Sequence, residues 1–466
     1  MSFYNDLSSH QNNIAIIQDG AGYITYKELD KLSRNISFQI EKERALVFIF
    51  CINTKESVAG YLGCLNAGHV PLLIDSSINK NLAESLLDTY KPNYIWAPNY
   101  LNIGIPKFTL GNYVLTESHK EQHILNPELA LLLTTSGSTG SPKLVRLSYK
   151  NLDANTRSIV QYLELDDTER PITTLPMNYT YGLSIINSHL AVGAAILMTN
   201  ATLMQKEFWN FFKKQEATSF GGVPYTYEML KRLRFFNMDL PSLRTMTQAG
   251  GKLLPELHRE FAEFARKTGR RFFVMYGQTE ATARMGYLPH EKAIEKYGSM
   301  GIAIPGGKFR LFDVNDNEII EPNTTGELIY EGPNVSLGYA ICEEDLAKGD
   351  ENNSVLHTGD MAQRDADGFY YIVGRKKRFL KLFGNRVNLD EIEQILKAKG
   401  YECACTGTDD NLIVALTEKK AVNEVSTFLP SLMGIHKSAI NVLFIPEIPK
   451  NEAGKTIYVK LLEEIQ

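Results

Sequence analysis

The sequence predicts an α/β protein, with a large N-terminal domain of parallel α/β sheets plus a small β-rich subdomain, and a small C-terminal α+β domain. Three observations predict it. Apolar runs rich in β formers alternate with helix-period stretches from residue 45 to residue 275. Beyond residue 298 the texture turns glycine-rich and the strand candidates become short. A cationic stretch, Gly374-Arg-Lys-Lys377, then sets off the last 89 residues.

Residues 45–52 (ALVFIFCI) and 70–75 (VPLLID) read as strands, and Glu56 to Asn66 between them places Val58, Tyr61, Leu62 and Leu65 at helical spacing. Strand, helix, strand is the unit of a parallel sheet. The rhythm repeats with a helix over Leu82–Tyr90 and a strand at Tyr94–Trp96, then through residues 190–198, 206–215 and 219–223. Glu256 to Thr268 is an amphipathic helix, and Phe272–Met275 is a buried strand. In the glycine-rich part, Phe309–Phe312 and Gly326–Tyr330 flank turn residues, as in a small β layer or barrel. The C-terminal stretch offers a helix at 389–399, strands at 412–417 and 441–445, and a helix between them.

The chain has 466 residues, 44% of them hydrophobic and 22% charged, with a formal net charge of −5. That composition excludes a largely disordered chain and opposes general nucleic-acid binding. The five cysteines (51, 64, 342, 403, 405) are odd in number and match no metal spacing, so they read as reduced structural thiols. The N-terminus has no basic or apolar targeting segment, and no apolar run approaches the ~20 residues that span a bilayer. The expectation is a cytoplasmic protein without a membrane span.

The densest chemical signal is Leu131-Leu-Leu-Thr-Thr-Ser-Gly-Ser-Thr-Gly-Ser-Pro-Lys143. Leu131 to Leu133 end a strand, Thr134 and Thr135 open the loop, Gly137 and Gly140 free the backbone to turn its N–H groups inward, and Ser136, Ser138 and Thr139 add hydroxyls. With the positive charge of Lys143, such a loop suits a triphosphate; its Gly-x-x-Gly-x-x-Lys spacing is not a Walker loop. A flexible Ser/Gly linker is the competing reading, opposed by the strand before and Pro-Lys after. Further on, Tyr276-Gly-Gln-Thr-Glu280 follows a buried strand, and an isolated carboxylate at a strand end suits Mg²⁺ held against phosphate oxygens. Gly250-Gly251 would let backbone approach a flat ligand closely.

TTSGSTGSPK resembles the phosphate loop of the adenylate-forming superfamily of acyl-CoA synthetases, peptide-synthetase adenylation domains and luciferases. The family's other signatures follow in order. They are Ile24 to Asp30, Tyr276-Gly277-Gln278-Thr279-Glu280, Gly326-Glu-Leu-Ile-Tyr with Gly338-Tyr339, Thr358-Gly-Asp360, Gly374-Arg375, and Pro449 to Lys455.

The resemblance implies activation of a carboxylic acid by ATP and Mg²⁺ as an acyl-adenylate, then transfer to a thiol. It implies catalytic roles for Lys455, Glu280, Thr135 and Lys381, with Glu280 the metal ligand. It also implies nucleotide contacts from the loop residues Thr134 to Gly140 and Lys143, from Gly250 and Gly251, from the motif residues Tyr276 to Thr279, and from Asp360 and Arg375. By the same likeness, Tyr276 stacks on adenine, Asp360 and Arg375 hold the ribose, and Lys455 bridges the carboxylate and the α-phosphate. The likeness further implies a division into a core at 1–373, a hinge at 374–377 with Lys377 as pivot, and a mobile domain at 378–466 that presents Lys381 in the second step.

Amino-acid-activating relatives carry an Asp in the segment that is here Leu175-Pro-Met-Asn-Tyr-Thr-Tyr-Gly-Leu183, and this chain has none. A buried ammonium without a partner is costly, so a non-amino acid is expected. Tyr179 stands where acyl and aryl synthetases commonly have His, and Leu144 where the family usually has Gly. Candidate pocket residues are Tyr179, Tyr181, Gly182, Phe220, Gln248 and Arg284. Arg284 has two readings, recognition of a second carboxylate or hydroxyl, and a surface ion pair. The expected acceptor is CoA. A phosphopantetheinyl carrier protein is the alternative, favoured by the compact C-terminal part. A luciferase-type oxygenase is a more distant option, and a non-catalytic adenine-nucleotide-binding module comes from another class.

Overall fold

The computed structural model describes residues 2–134, 143–376, 378–382, 385–408, 410–433, 436–450 and 456–465. Thr135, Ser136, Gly137, Ser138, Thr139, Gly140, Lys377 and Lys455 lie outside the described residues, as does the side chain of Lys381.

Among the described residues two large sheets dominate. One orders eight strands as Gly338–Ala340, Leu144–Ser148, Leu129–Thr134, Val70–Asp75, Leu46–Cys51, Tyr94–Pro98, Tyr113–Glu117 and Pro106–Leu110. Its middle strands are parallel and its edges antiparallel. Leu46–Cys51 is buried at all six positions, as a central parallel strand covered on both faces must be. The other sheet orders nine strands, with Ser219–Gly222, Thr245–Gln248 and Arg271–Tyr276 as parallel neighbours.

Four helices fill the layer between the sheets: Tyr26–Phe38, Lys55–Asn66, Tyr149–Leu163 and Thr180–Ala191. Thr25 caps the first by accepting from Glu28 N–H while Glu28 reaches back, and Thr54 caps the second. Three more, Lys206–Lys214, Pro224–Arg232 and Pro255–Lys267, cover the outer face of the nine-stranded sheet.

The β-rich part is an antiparallel sheet of Lys308–Phe312, Gly326–Glu331, Val355–Arg364 and Tyr370–Arg375. Toward the C-terminus, Cys403–Thr408, Asn411–Leu416 and Ile440–Phe444 form a three-stranded sheet packed by Leu389–Ala398 and Ala421–Met433 around a core that includes Ile392, Leu412, Val414 and Val425.

The α/β class and the β-rich layer match expectation. The strand Cys403–Thr408 and the helices Tyr149–Leu163 and Thr180–Ala191 are additions that sequence reading did not place. Cys-Ala-Cys-Thr-Gly-Thr has no bulky apolar run, and eleven of the twelve residues of Thr180–Ala191 are buried, which erases amphipathic periodicity. Cys51, Cys64, Cys403 and Cys405 are free and buried, and desolvation pushes each thiol up. No described helix is long and apolar enough to cross a membrane.

Arg146 ties the sheet edge together. Its guanidinium is fully buried and donates to the carbonyls of Tyr339, Leu337, Lys348 and Gly349 and to the Glu351 carboxylate. Replacing it by methionine keeps the bulk and strands those acceptors. The Arg146→Met variant should lose roughly 3 kcal/mol in urea unfolding. A loss below about 1 kcal/mol would show that the edge is held otherwise.

Candidate active site

Gly222, Gln248 and Val274 lie in register at the carboxyl ends of three parallel strands, the place where open α/β sheets bind ligands. Just beyond, the segment from Tyr276 to Glu280 turns sharply. A Cβ on Gly277 would lie 1.6 Å from the Ala283 carbonyl oxygen, so only glycine fits. Thr282 and Ala283 both have positive φ, at 56° and 94°, which marks strain concentrated in this turn.

One side of the turn faces the β-rich sheet. Tyr276 Oη donates to Asp360 Oδ2 at 2.5 Å, and Gln278 Nε2 donates to the same oxygen at 2.9 Å. Arg375 sits directly across the strand pair from Asp360, with Nε 3.2 Å from Oδ1. Asp360 is 4% exposed, and burial holds its carboxyl above the usual aspartate range against the opposing pull of Arg375, Tyr276 and Gln278. The Arg375 side chain is 63% exposed, so one member of this pair remains open to a ligand.

The other side of the turn faces the edge of the eight-stranded sheet. Tyr339 Oη donates to Glu280 Oε1 at 2.8 Å, and Lys143 Nζ lies 3.2 Å from the centroid of the Tyr339 ring. Burial first, and the Glu280 carboxylate next, push the Tyr339 phenol up, so it remains a proton donor. Gly338–Ala340 pairs with Leu144–Ser148, which is why Tyr339 reaches both groups. Tyr339 was visible in sequence only as part of a motif; its contacts were not. Thr134 ends its strand opposite Leu144, and Thr279 Oγ1 lies 2.9 Å from Thr180 Oγ1.

The expected pocket residues separate into two groups. Tyr179 extends over Gly250, whose φ is +83° and whose added Cβ would fall 2.5 Å from the Tyr179 hydroxyl; a Cβ on Gly251 would press on Pro224. Tyr181 Oη bonds Thr247 Oγ1 at 2.8 Å. Gln248 is fully buried, and its amide donates to the carbonyls of Ala249 and Gly251, fixing the glycine turn.

Phe220 and Gly182 take packing positions. Phe220 packs against Tyr227 and Phe235 in the outer helix layer, while its neighbour Gly221 faces Tyr181, because successive strand residues point to opposite faces. Gly182 is held against the Pro176 carbonyl, a backbone packing role. The surface reading of Arg284 is also corrected, since this side chain is 2% exposed and makes no ion pair among the described residues.

Among the described residues no group of three or more His, Cys, Asp and Glu gathers around a metal position. Glu280 is a single carboxylate, the donor set that Mg²⁺ accepts when phosphate and water oxygens supply the rest.

Residues 3–340 match the sequence model of the family described as AMP-binding enzyme. The chain is 26% identical to the 2-succinylbenzoate–CoA ligase of Oceanobacillus iheyensis, over 97% of this chain and 96% of that one. It is 27% identical to 4-coumarate–CoA ligase-like 2 of Arabidopsis thaliana, over 81% of this chain and 69% of that one. For several other CoA ligases the match spans less than two thirds of their length, at 63–65%. The fold is that of the o-succinylbenzoate CoA synthetase of Bacillus subtilis solved with its acyl-adenylate, at a TM-score of 0.80 and 20% identity, covering 99% of this chain and 98% of that one.

The raised Asp360 carboxyl sets a direction for pH dependence. Acidification neutralises Asp360 before an ordinary aspartate, and the neutral acid loses its pairing with Arg375. ATP affinity, measured by calorimetry between about pH 8 and pH 4, should therefore begin to fall above the usual carboxylate range near pH 4. Asp360→Asn should bind more weakly throughout and lose that inflection. An unchanged inflection in the variant would assign the titration elsewhere.

Proposed function

The chain belongs to the AMP-binding enzyme family, and from that premise we propose that it activates a non-amino carboxylic acid with ATP and passes the acyl group to the thiol of CoA. The observation that carries this reading is the segment from Tyr276 to Glu280, which engages Asp360 and Arg375 on one side and Tyr339 and Lys143 on the other. One side supplies a carboxylate and a guanidinium for ribose hydroxyls. The other supplies a carboxylate beside a lysine for a metal-bound polyphosphate.

In the first step a carboxylate oxygen of the substrate attacks the α-phosphorus, the bond to the bridging oxygen breaks, and pyrophosphate leaves. In the second step a thiolate attacks the acyl carbon and AMP departs with the bonding electrons. Glu280 would hold Mg²⁺, which neutralises charge on the polyphosphate when bound. The first step brings two anions together, and Lys455 is assigned to offset that repulsion. Thr134 to Gly140 and Lys143 hold the phosphates, with Thr135 acting at the reacting end, and Tyr276 takes the adenine face. Gly250 and Gly251 give the base its close approach, beside a turn that Gln248 fixes.

The acid lacks an α-ammonium because no carboxylate stands between Leu175 and Leu183 to receive one. We divide the chain into a core at 1–373, a hinge at 374–377 and a mobile domain at 378–466, turning about Lys377 so that Lys381 serves the second step. What supports the hinge is Asp390, which accepts from the Arg375 N–H and from Arg378 Nε, one on either side of residue 377. The partners are a small acid and CoA, with a carrier protein as the alternative acceptor. We place the reaction in the cytoplasm, without a nucleic-acid partner.

Pyrophosphate release with ATP and Mg²⁺ across fatty, hydroxy, aryl, dicarboxylic and amino acids tests the proposal. One acid class should respond, and CoA should raise its rate. Lys455→Ala should cut adenylate formation by at least about 100-fold while ATP still binds. Release that ignores CoA would favour a carrier protein. Silence across all acids with ATP bound would indicate a non-catalytic nucleotide-binding module.

A further inference from the structure

Arg284 carries a buried charge with no counter-charge among the described residues. Nε donates to Ser184 Oγ at 3.1 Å, Nη1 donates to Tyr162 Oη at 2.9 Å and lies 2.9 Å from Met275 Sδ, and Cζ is 4.9 Å from the Tyr181 ring centroid. Every one of these partners is neutral, and no described residue takes a hydrogen bond from Nη2. The other deeply placed arginines differ: Arg146 reaches Glu351, and Arg378 reaches Asp390 and Glu393. A desolvated guanidinium is costly unless an anion completes it.

Two further polar atoms on the flanking helices are unspent. Ser158 Oγ and His189 Nε2 are buried without a hydrogen-bond partner. Ser158 shares a helical stripe with Asn155 and Tyr162, and both of those bond Arg284, Asn155 through the Arg284 carbonyl at 2.9 Å. His189 spends Nδ1 on the Ile185 carbonyl at 2.8 Å; burial first, with the charge of Arg284 adding to it, holds it down to about 4, so it is neutral near pH 7.

The distance to the reacting end is short. Thr180 touches Thr279 at the first turn of the helix Thr180–Ala191, and Ser184 stands four residues on, about 6 Å along the axis. Tyr181 lies between, its hydroxyl on Thr247 and its ring on Arg284. We propose that Arg284 is the counter-charge for a second carboxylate on the substrate, so that the acid activated is a short dicarboxylic acid. This rests on the acid-activating reading above and names its substrate class.

Acid-dependent exchange of labelled pyrophosphate into ATP, without thiol, tests it. The acids are dicarboxylates of about three to six carbons, each beside its monomethyl ester and the monocarboxylate of equal length. The wild type should favour one dicarboxylate over its ester by at least roughly 100-fold in kcat/KM, mainly through KM. Arg284→Gln should bring that ratio near one, and Arg284→Lys should restore part of it. Equal use of diacid and ester by the wild type would overturn the inference, as would a ratio unchanged in Arg284→Gln. The wild-type comparison stands even if the glutamine variant fails to fold. Exchange confined to monocarboxylates would overturn this inference alone, whereas no exchange with any acid while ATP binds would overturn the adenylation reading beneath it.

Discussion

The buried guanidinium of Arg146 is the constraint on which the site's geometry depends. It joins the strand Leu144–Ser148 to backbone carbonyls between Leu337 and Gly349, and that connection keeps Gly338–Ala340 as the edge strand. Gly338 has φ +124°, and a Cβ there would press on Arg146 and Glu351, so the close approach needs glycine. Tyr339 follows directly and can only then reach Glu280 while lying beneath Lys143. A buried arginine thus sets the position of the one ring that lies between the Glu280 carboxylate and the Lys143 ammonium.

A second consequence concerns preorganisation. Asp360 is already engaged by Tyr276, Gln278 and Arg375, and Glu280 by Tyr339. Groups fixed in advance need little reordering when a ligand arrives, which saves conformational entropy and keeps dipoles aimed where charge develops. The strained turn at Thr282 and Ala283 and the glycine requirement at Gly277 fit this picture, since they hold Tyr276 and Glu280 on opposite sides of one short segment.

Much of this was legible in the sequence because its signals are local. Strands such as Leu46–Cys51 are unbroken apolar runs, and the residues from Tyr276 to Glu280 and around Asp360 sit in short motifs whose chemistry can be read residue by residue. What escaped depends on three-dimensional register. Phe220 faces the outer helices because of strand parity, which an isolated tetrapeptide does not reveal. The helix Thr180–Ala191 is buried all round, so its period is silent. Arg378 directly follows the cationic stretch ending at Lys377, and its clamping by Asp390, Glu393 and the face of Tyr458 depends on contacts that sequence spacing does not show. The burial of Arg284 emerges only once the two helices from Tyr149 and Thr180 are packed on the strand ending at Tyr276.

The proposed chemistry turns on attack of a substrate carboxylate on the α-phosphorus of ATP at this site. Isotope transfer tests it most directly: the accepted acid, labelled with ¹⁸O in its carboxylate, is converted with ATP and thiol, and the products are weighed by mass spectrometry. Attack at the α-phosphorus should leave one ¹⁸O atom in AMP and none in pyrophosphate. Label appearing in inorganic phosphate with ADP as co-product, or unlabelled AMP, would contradict it.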